Sequence, residues 1–238
     1  MALSSNQIKS IKELHSKKNR VITKTFIVEG EKLVEELLNS EWEIEALYAI
    51  EGYVPPKSFS ITTVSNKDLE RISMLKNPNK VLAIVKQKEW VPGTFKKVLL
   101  LDDISDPGNL GTIIRTAEWF GFDAIYCSTN TVEVYNTKVL QATMGSVFRM
   151  PVFYEALEAC LLALHKQDFH SIITHLQGKT EWSVSAEKIV LIMGSESHGV
   201  SETLAEMAHE KIKIVGFGEA ESLNVAVATG IMCYALSK

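Results

Sequence analysis

Three polar, glycine-bearing turns constrain this chain most, because each leads from an apolar, strand-like run into a helix-like run. They read DISDPGNLGTIIRTAEWFG (103–121), GSESHGVS (194–201) and ESLNVAVA (221–228). Arranged in this order, they predict a single site built where several strand ends meet. The runs that feed them are Val98–Leu101, Ile189–Met193 and Lys211–Val215, with further strands expected over Ala124–Cys127 and Ser171–Thr174. Uninterrupted apolar strands between helices imply a mostly parallel sheet covered on both faces. Helices are expected from about Leu110 to Phe120 and over Tyr154–His165, Ser201–Ala208 and Ser222–Leu236. The last is Ala-rich and nearly all apolar, so it reads as buried.

The N-terminal part alternates shorter elements. Ile8, Ile11 and Leu14 lie at helical spacing, predicting a helix over 6–18. Strands are expected over Thr25–Val28, Ile44–Ile50, Ser60–Val64 and Val81–Val85. Between the first two, Glu29–Asn39 places Leu33, Val34, Leu37 and Leu38 on one helical face. Ser65, with Asp68 three positions on, reads as a helix start. Lys88–Lys97, with Trp90, Pro92 and Gly93, is the expected linker. The chain therefore divides into a small α/β domain over 1–92 and a larger α/β domain over 93–238.

The net charge of −4 does not advertise a nucleic-acid partner, but its distribution is uneven. Residues 1–24 carry six basic groups, Lys9, Lys12, Lys17, Lys18, Arg20 and Lys24, against one acid, Glu13. A basic segment on an acidic chain can supply phosphate contacts, and it also reads as a solvated helix face. The apolar runs are too short to span a bilayer, and the polar N-terminus lacks the apolar core of a secretory signal. Cys127, Cys160 and Cys233 are odd in number and far apart, which fits reduced cytoplasmic thiols better than a disulfide frame. No metal is expected: Glu196 and His198 have no third ligand at suitable spacing, and His165, His170 and His175 read as surface or satisfied histidines.

In the first turn Pro107-Gly108 suggests a tight bend, Asn109 the helix start, and Arg115 lies two turns along. These match neither the dinucleotide fingerprint nor a phosphate loop. The same residues also read as an Asn cap and a solvated Arg. In the second turn Gly194 and Gly199 bracket Ser195, Glu196 and His198; backbone amides there can hold a small polar ligand, or Glu196 can sit near the following helix dipole. In the third, Ser222 and Asn224 are both plausible caps of the last helix.

Read together, NLGTIIRTA, GSESHGVS and ESLNVAVA resemble the three signature motifs of the SpoU/TrmH-type RNA 2′-O-ribose methyltransferases of the SPOUT superfamily, a match covering about residues 96–238. RVITKTFIVEGEKLVEELL (20–38) looks like the ribosomal-protein-like α/β substrate-binding domain of many members. The resemblance implies a C-terminal trefoil knot holding S-adenosylmethionine, a homodimer with both subunits contributing to one site, and methylation of a ribose 2′-OH in rRNA or tRNA. By position it places Asn109, Arg115, Glu196, Ser222 and Asn224 in the catalytic group. Thr174, Met193, Gly194, Glu196, Ile214, Val215, Leu223 and Asn224 fall where members line the cofactor pocket. Two departures stand out: Val215 replaces the family's usual Pro, and Ala226 a frequent Ser. They leave open a non-catalytic RNA-binding paralogue. An ordinary nucleotide-binding α/β protein is the remaining alternative, though the phosphate loop it would need is missing.

Overall fold

The structure is a computed structural model and describes residues 3–237. In chain order its elements are α1 (Ser5–Glu13), α2 (Lys17–Thr23), β1 (Thr25–Glu29), α3 (Glu31–Leu38), β2 (Ile44–Ala49), β3 (Thr62–Thr63), α4 (Asn66–Ile72), β4 (Val81–Lys86), β5 (Lys97–Asp102), α5 (Pro107–Trp119), β6 (Ala124–Cys127), α6 (Thr137–Thr143), β7 (Val152–Tyr154), α7 (Leu157–His165), β8 (His170–Lys179), β9 (Ile189–Gly194), α8 (Glu202–Met207), β10 (Glu210–Ile212) and α9 (Val225–Ala235). A short 3₁₀ turn, Ser146–Phe148, follows α6. The chain forms two compact units, one of residues 1–89 and 135–149, the other of 90–134 and 150–238.

In the first unit the four strands run in the order β1-β4-β2-β3, antiparallel except for the β2–β3 pair. The helix expected over 6–18 is two helices. Ser4 and Gln7 form a capping box that starts α1, which turns off at Leu14. There buried Arg20 donates from Nη1 to the carbonyls of Leu14 (2.8 Å) and His15 (3.0 Å). Arg20 is thus committed to a helix corner, while Lys9, Lys12, Lys17, Lys18 and Lys24 stay exposed. Ser65 caps α4 by accepting Asp68 N–H at 3.1 Å, as its spacing suggests.

No element was expected over 135–149. The apolar side of α6, with Val139 and Leu140, is buried in this unit. Gln141 Nε2 donates to Glu29 O (2.8 Å), Trp42 Nε1 donates to Phe148 O (3.0 Å), and Arg149 pairs with Glu36 (2.6 Å). The Phe26 ring lies 4.4 Å from Tyr135 and 5.7 Å from Trp42, and Trp42 lies 5.6 Å from Phe148. Aromatic pairs of this kind contribute about 0.5–1.5 kcal/mol each beyond their area.

The second unit carries a six-stranded, wholly parallel sheet, β10-β8-β9-β5-β6-β7. Val98–Leu101 of β5 and Ile189–Met193 of β9 are buried, as adjacent central strands covered on both faces must be. Tyr154, expected to start a helix, ends β7 instead: it pairs with Cys127, and its hydroxyl donates to Val132 O at 2.6 Å. β10 stops at Ile212, short of the expected Val215. Its partner β8 runs past Thr174 to Lys179, with a register shift at Lys211/Ile212. Gly178 permits this approach, since a Cβ there would lie 2.5 Å from the Ile212 carbonyl carbon. α5 and α9 pack against each other beside this sheet.

Candidate functional site

The register of β5 against β9 sets Asp102 opposite Gly194, so the first two polar turns leave the sheet side by side at its carboxyl end. The chain runs from β5 out to β6 and β7 on one side, and β9, β8 and β10 lie on the other, which makes this boundary a topological switch point.

α5 begins earlier than the sequence suggested. Asp106, not Asn109, is its cap: Asp106 Oδ1 accepts Asn109 N–H at 2.8 Å, and Pro107 occupies the first turn, where its missing N–H costs nothing. The Asp-Pro pair is a signal that could have been read from sequence. With the cap supplied by Asp106, the Asn109 side chain is available for other contacts. Likewise Asn224, not Ser222, caps α9, its Oδ1 accepting Ala226 N–H (3.0 Å) and Val227 N–H (3.3 Å).

In the second turn Gly194 and Gly199 are both required. Ser195 and Gly199 exchange backbone hydrogen bonds of 3.1 and 2.9 Å, and Gly199 has φ +69°. A Cβ on Gly194 would lie 2.0 Å from the Gly199 carbonyl. The turn is thereby a tight loop with Glu196 on its exposed rim. Ser195 Oγ accepts His198 N–H (3.2 Å), and the end of the loop is held by Asp102 Oδ2, which accepts Ser201 N–H at 2.9 Å.

The three turns meet through three side chains. Glu196 Oε1 accepts from Asn109 Nδ2 (3.1 Å), Asn224 Nδ2 (2.5 Å) and Val225 N–H (3.4 Å), and Asn224 Nδ2 also reaches Asn109 Oδ1 (2.9 Å). The group is hydrogen-bonded yet open to solvent, with one carboxylate oxygen fixed by donors.

The other expected residues divide. Thr174, half-buried, donates from Oγ1 to Met193 Sδ (3.8 Å), which joins β8 and β9 at the same end of the sheet. Ile214 and Val215 follow the end of β10, and Leu223 precedes the α9 cap; Val215 and Leu223 are exposed. Ser222 is exposed and stands outside the triangle. Arg115 is also exposed. Six residues beyond Asn109, it is rotated about 240° around α5 and points to a different flank. Two surface hollows, about 510 Å³ beside Glu181, Trp182 and Glu210 and about 380 Å³ beside Trp182, Tyr234 and Leu236, are not lined by the triangle.

At the opposite, amino end of the sheet lies a second polar cluster. Ser171 Oγ bonds His165 Nε2 (2.9 Å) and His209 Nδ1 (2.8 Å) and accepts His209 N–H (3.0 Å). His170 Nε2 bonds Glu210 Oε1 (2.9 Å) and its ring stacks on His209 at 5.1 Å. Burial, then the neighbouring His209 and His170, hold the His165 imidazole below its ordinary pKa. His175 lies outside this cluster and accepts Gln177 N–H (3.1 Å). Burial raises all three thiols, those of Cys160 and Cys233 to about 12. Among the described residues no group of three His, Cys, Asp or Glu side chains could hold a metal, and no helix is long and apolar enough to cross a membrane.

Comparison with known proteins matches residues 96–234 to the SpoU rRNA Methylase family and residues 5–83 to the MRM3-like substrate binding domain. A Bacillus subtilis relative, the 23S rRNA (guanosine(2553)-2′-O)-methyltransferase RlmP, is 35% identical over 97% of this chain and 95% of its own. A solved TrmH-family protein from Porphyromonas gingivalis superposes with a TM-score of 0.87 at 32% identity, covering 98% of this chain and 97% of the other. An AdoMet-bound rRNA methyltransferase from Sinorhizobium meliloti superposes at 0.86 with 30% identity, covering 99% and 96%. With the three motifs joined at one end of a parallel sheet and a relative aligned almost end to end, the chain belongs to the SpoU rRNA methylase family.

Proposed function

We propose that this protein is an S-adenosylmethionine-dependent RNA 2′-O-ribose methyltransferase acting on rRNA or tRNA, with rRNA favoured by the RlmP likeness. The observation that carries this reading is the Asn109–Glu196–Asn224 triangle, which unites three family motifs at the switch point. S-adenosylmethionine would supply an electrophilic methyl group on a sulfonium sulfur.

The residues present suit that donor. Glu196 offers a carboxylate toward its positive charge and amino group. Gly194, Ile214, Val215 and Leu223 offer backbone groups at loop positions, and Thr174 and Met193 form the adjoining wall. Asn109 and Asn224 fix one oxygen of Glu196 and leave its other oxygen to a ligand. Holding acceptor and donor in line contributes roughly 7–11 kcal/mol in favourable cases. Asn109 would orient the acceptor ribose, and Ser222 would reach it by movement of the exposed 215–224 segment.

Arg115 has the guanidinium suited to clamp a phosphate and stabilise the developing alkoxide, and as a permanent cation it is poorly suited to be a base. Its flank of α5 also carries Trp119, four residues on and 80% exposed. Exposed Val227, Ile231 and Tyr234 lie on α9, which packs against α5. This apolar surface supports a homodimer in which each subunit presents Arg115 to its partner's site. A C-terminal trefoil knot belongs to the same reading, supported by the close β8–β10 passage at Gly178. So does a 1–92 RNA-recognition domain of ribosomal-protein-like fold, whose exposed Lys9, Lys12, Lys17, Lys18 and Lys24 would contact phosphates. The protein would act in the cytoplasm, where free thiols persist.

The departure at 226 does not favour a non-catalytic paralogue. Ala226 is buried and its N–H is already bonded to Asn224 Oδ1, so the cap stands without a serine hydroxyl. The test is Arg115→Ala under single-turnover conditions with labelled donor and separate rRNA and tRNA pools. The methylation rate should fall about 10²- to 10³-fold with donor affinity little changed; an unchanged rate removes Arg115 from the mechanism.

A further inference from the structure

Residue 102 touches both ends of the second turn. Its backbone is in register with Gly194, where the turn begins, and its Oδ2 accepts Ser201 N–H at 2.9 Å, where the turn ends. Asp102 is itself fixed: the next residue, Asp103, leaves the strand in a left-handed conformation (φ +58°) and donates its N–H to Ser128 Oγ at 2.9 Å. Inside the loop, Glu196 can meet Asn109 and Asn224 only if the loop keeps one shape. The backbone N–H of Ser201, the residue that starts α8, has its acceptor in Asp102 Oδ2.

We infer that Asp102 is a positioning residue for the donor site: by gripping both ends of the 194–201 loop from the neighbouring strand, it sets where Glu196 stands. This rests on the methyltransferase reading for its consequence in catalysis but not for the grip. Asp102 touches none of the triangle side chains and acts through the loop. The role needs an accepting oxygen at this spot, not a negative charge, because an amide oxygen can take the same N–H. Asn should therefore replace Asp far better than Ala.

The experiment compares full-length wild type with Asp102→Asn, Asp102→Ala and Ser201→Pro. The last removes the donor N–H while keeping Asp102, and the Ser201 φ of −55° suits proline. Amide exchange across 195–201 is measured without ligand, donor affinity by calorimetry, and methylation by single turnover. Asp102→Ala and Ser201→Pro should each speed loop exchange and weaken donor binding about tenfold, the size expected for one lost hydrogen bond. Asp102→Asn should stay within about threefold of wild type. The inference is overturned if Asp102→Ala leaves exchange and affinity unchanged, if Asn is as damaging as Ala, or if Ser201→Pro is silent. Should Asp102→Ala misfold, Ser201→Pro and Asp102→Asn still decide it. The expected exchange differences among the variants, together with a wild type that takes up no donor, would keep the grip and sink the methyltransferase reading.

Discussion

The two ends of the parallel sheet both gather polar side chains, and they do so in opposite styles. At the carboxyl end Asn109, Glu196 and Asn224 bond one another on an exposed rim, leaving capacity for a ligand. At the amino end Ser171, His165, His209, His170 and Glu210 satisfy one another, with Ser171 fully buried. His209 Nδ1 accepts Ser171 N–H at 3.0 Å, which leaves the ring's proton on Nε2. A cluster of titratable groups therefore does not by itself mark a site; what separates the two is whether hydrogen-bonding capacity is already spent.

The sharpest way to break this contrast is Gly194→Ala. The added methyl would meet Gly199 backbone at 2.0 Å, and the loop must move. Overpacking of this sort costs about 3 kcal/mol, so donor affinity by calorimetry should drop roughly 100-fold. Retained affinity would mean the loop shape is irrelevant to binding.

Ser171→Ala probes the other end. It removes the acceptor of the partly exposed His209 N–H, at a cost of about 0.5–1.5 kcal/mol read from denaturant unfolding. Donor binding should not change. A variant stable as wild type but defective in binding would invert the assignment of the two ends.

The smallest effect is in pH. The folded-state pKa of His165 lies below its ordinary value of 6.5, so the unfolded chain takes up the proton first. Stability is then at its full value above that pH, declines as pH falls through 6.5 toward the folded pKa, and levels off below it. Thermal unfolding of wild type and His165→Gln between about pH 7.5 and pH 5.5 should show a shallower decline in the variant. Parallel curves would remove His165 as the source.

A fourth consequence concerns truncation. Deleting residues 1–90 to test an RNA-recognition domain would strip Trp42 and Phe26 from Tyr135 and Phe148. Substituting the exposed lysines of α1 and α2 is the cleaner route, since it leaves those rings covered.

In the second unit contiguous residues carry most of the fold. Val98–Leu101 and Ile189–Met193 announce buried parallel strands because every position is apolar, and both are central. The Gly, Asn and Ser content of the turns announces where backbone must bend. A stretch with no periodicity of its own carries no such signal. Residues 135–149 gave no signal because their partners, Trp42 and Glu29, come from an earlier part of the chain. Helical spacing carries the first helix on through Leu14, whereas its break depends on Arg20 reaching back to two carbonyls.

The same division holds at the site. Local chemistry in each motif, a capping oxygen, a glycine with no side chain, an amide at a helix start, is written in contiguous residues and was readable there. The meeting of Asn109 with Glu196 and of Asn224 with Asn109 spans 87 and 115 positions. Those distances close only because β5 and β9 lie in one register and α9 returns beside α5. The grip of Asp102 on Ser201, 99 positions away, has the same origin. Side-chain identity fixes what a group can bond to; folding in three dimensions selects which group it meets.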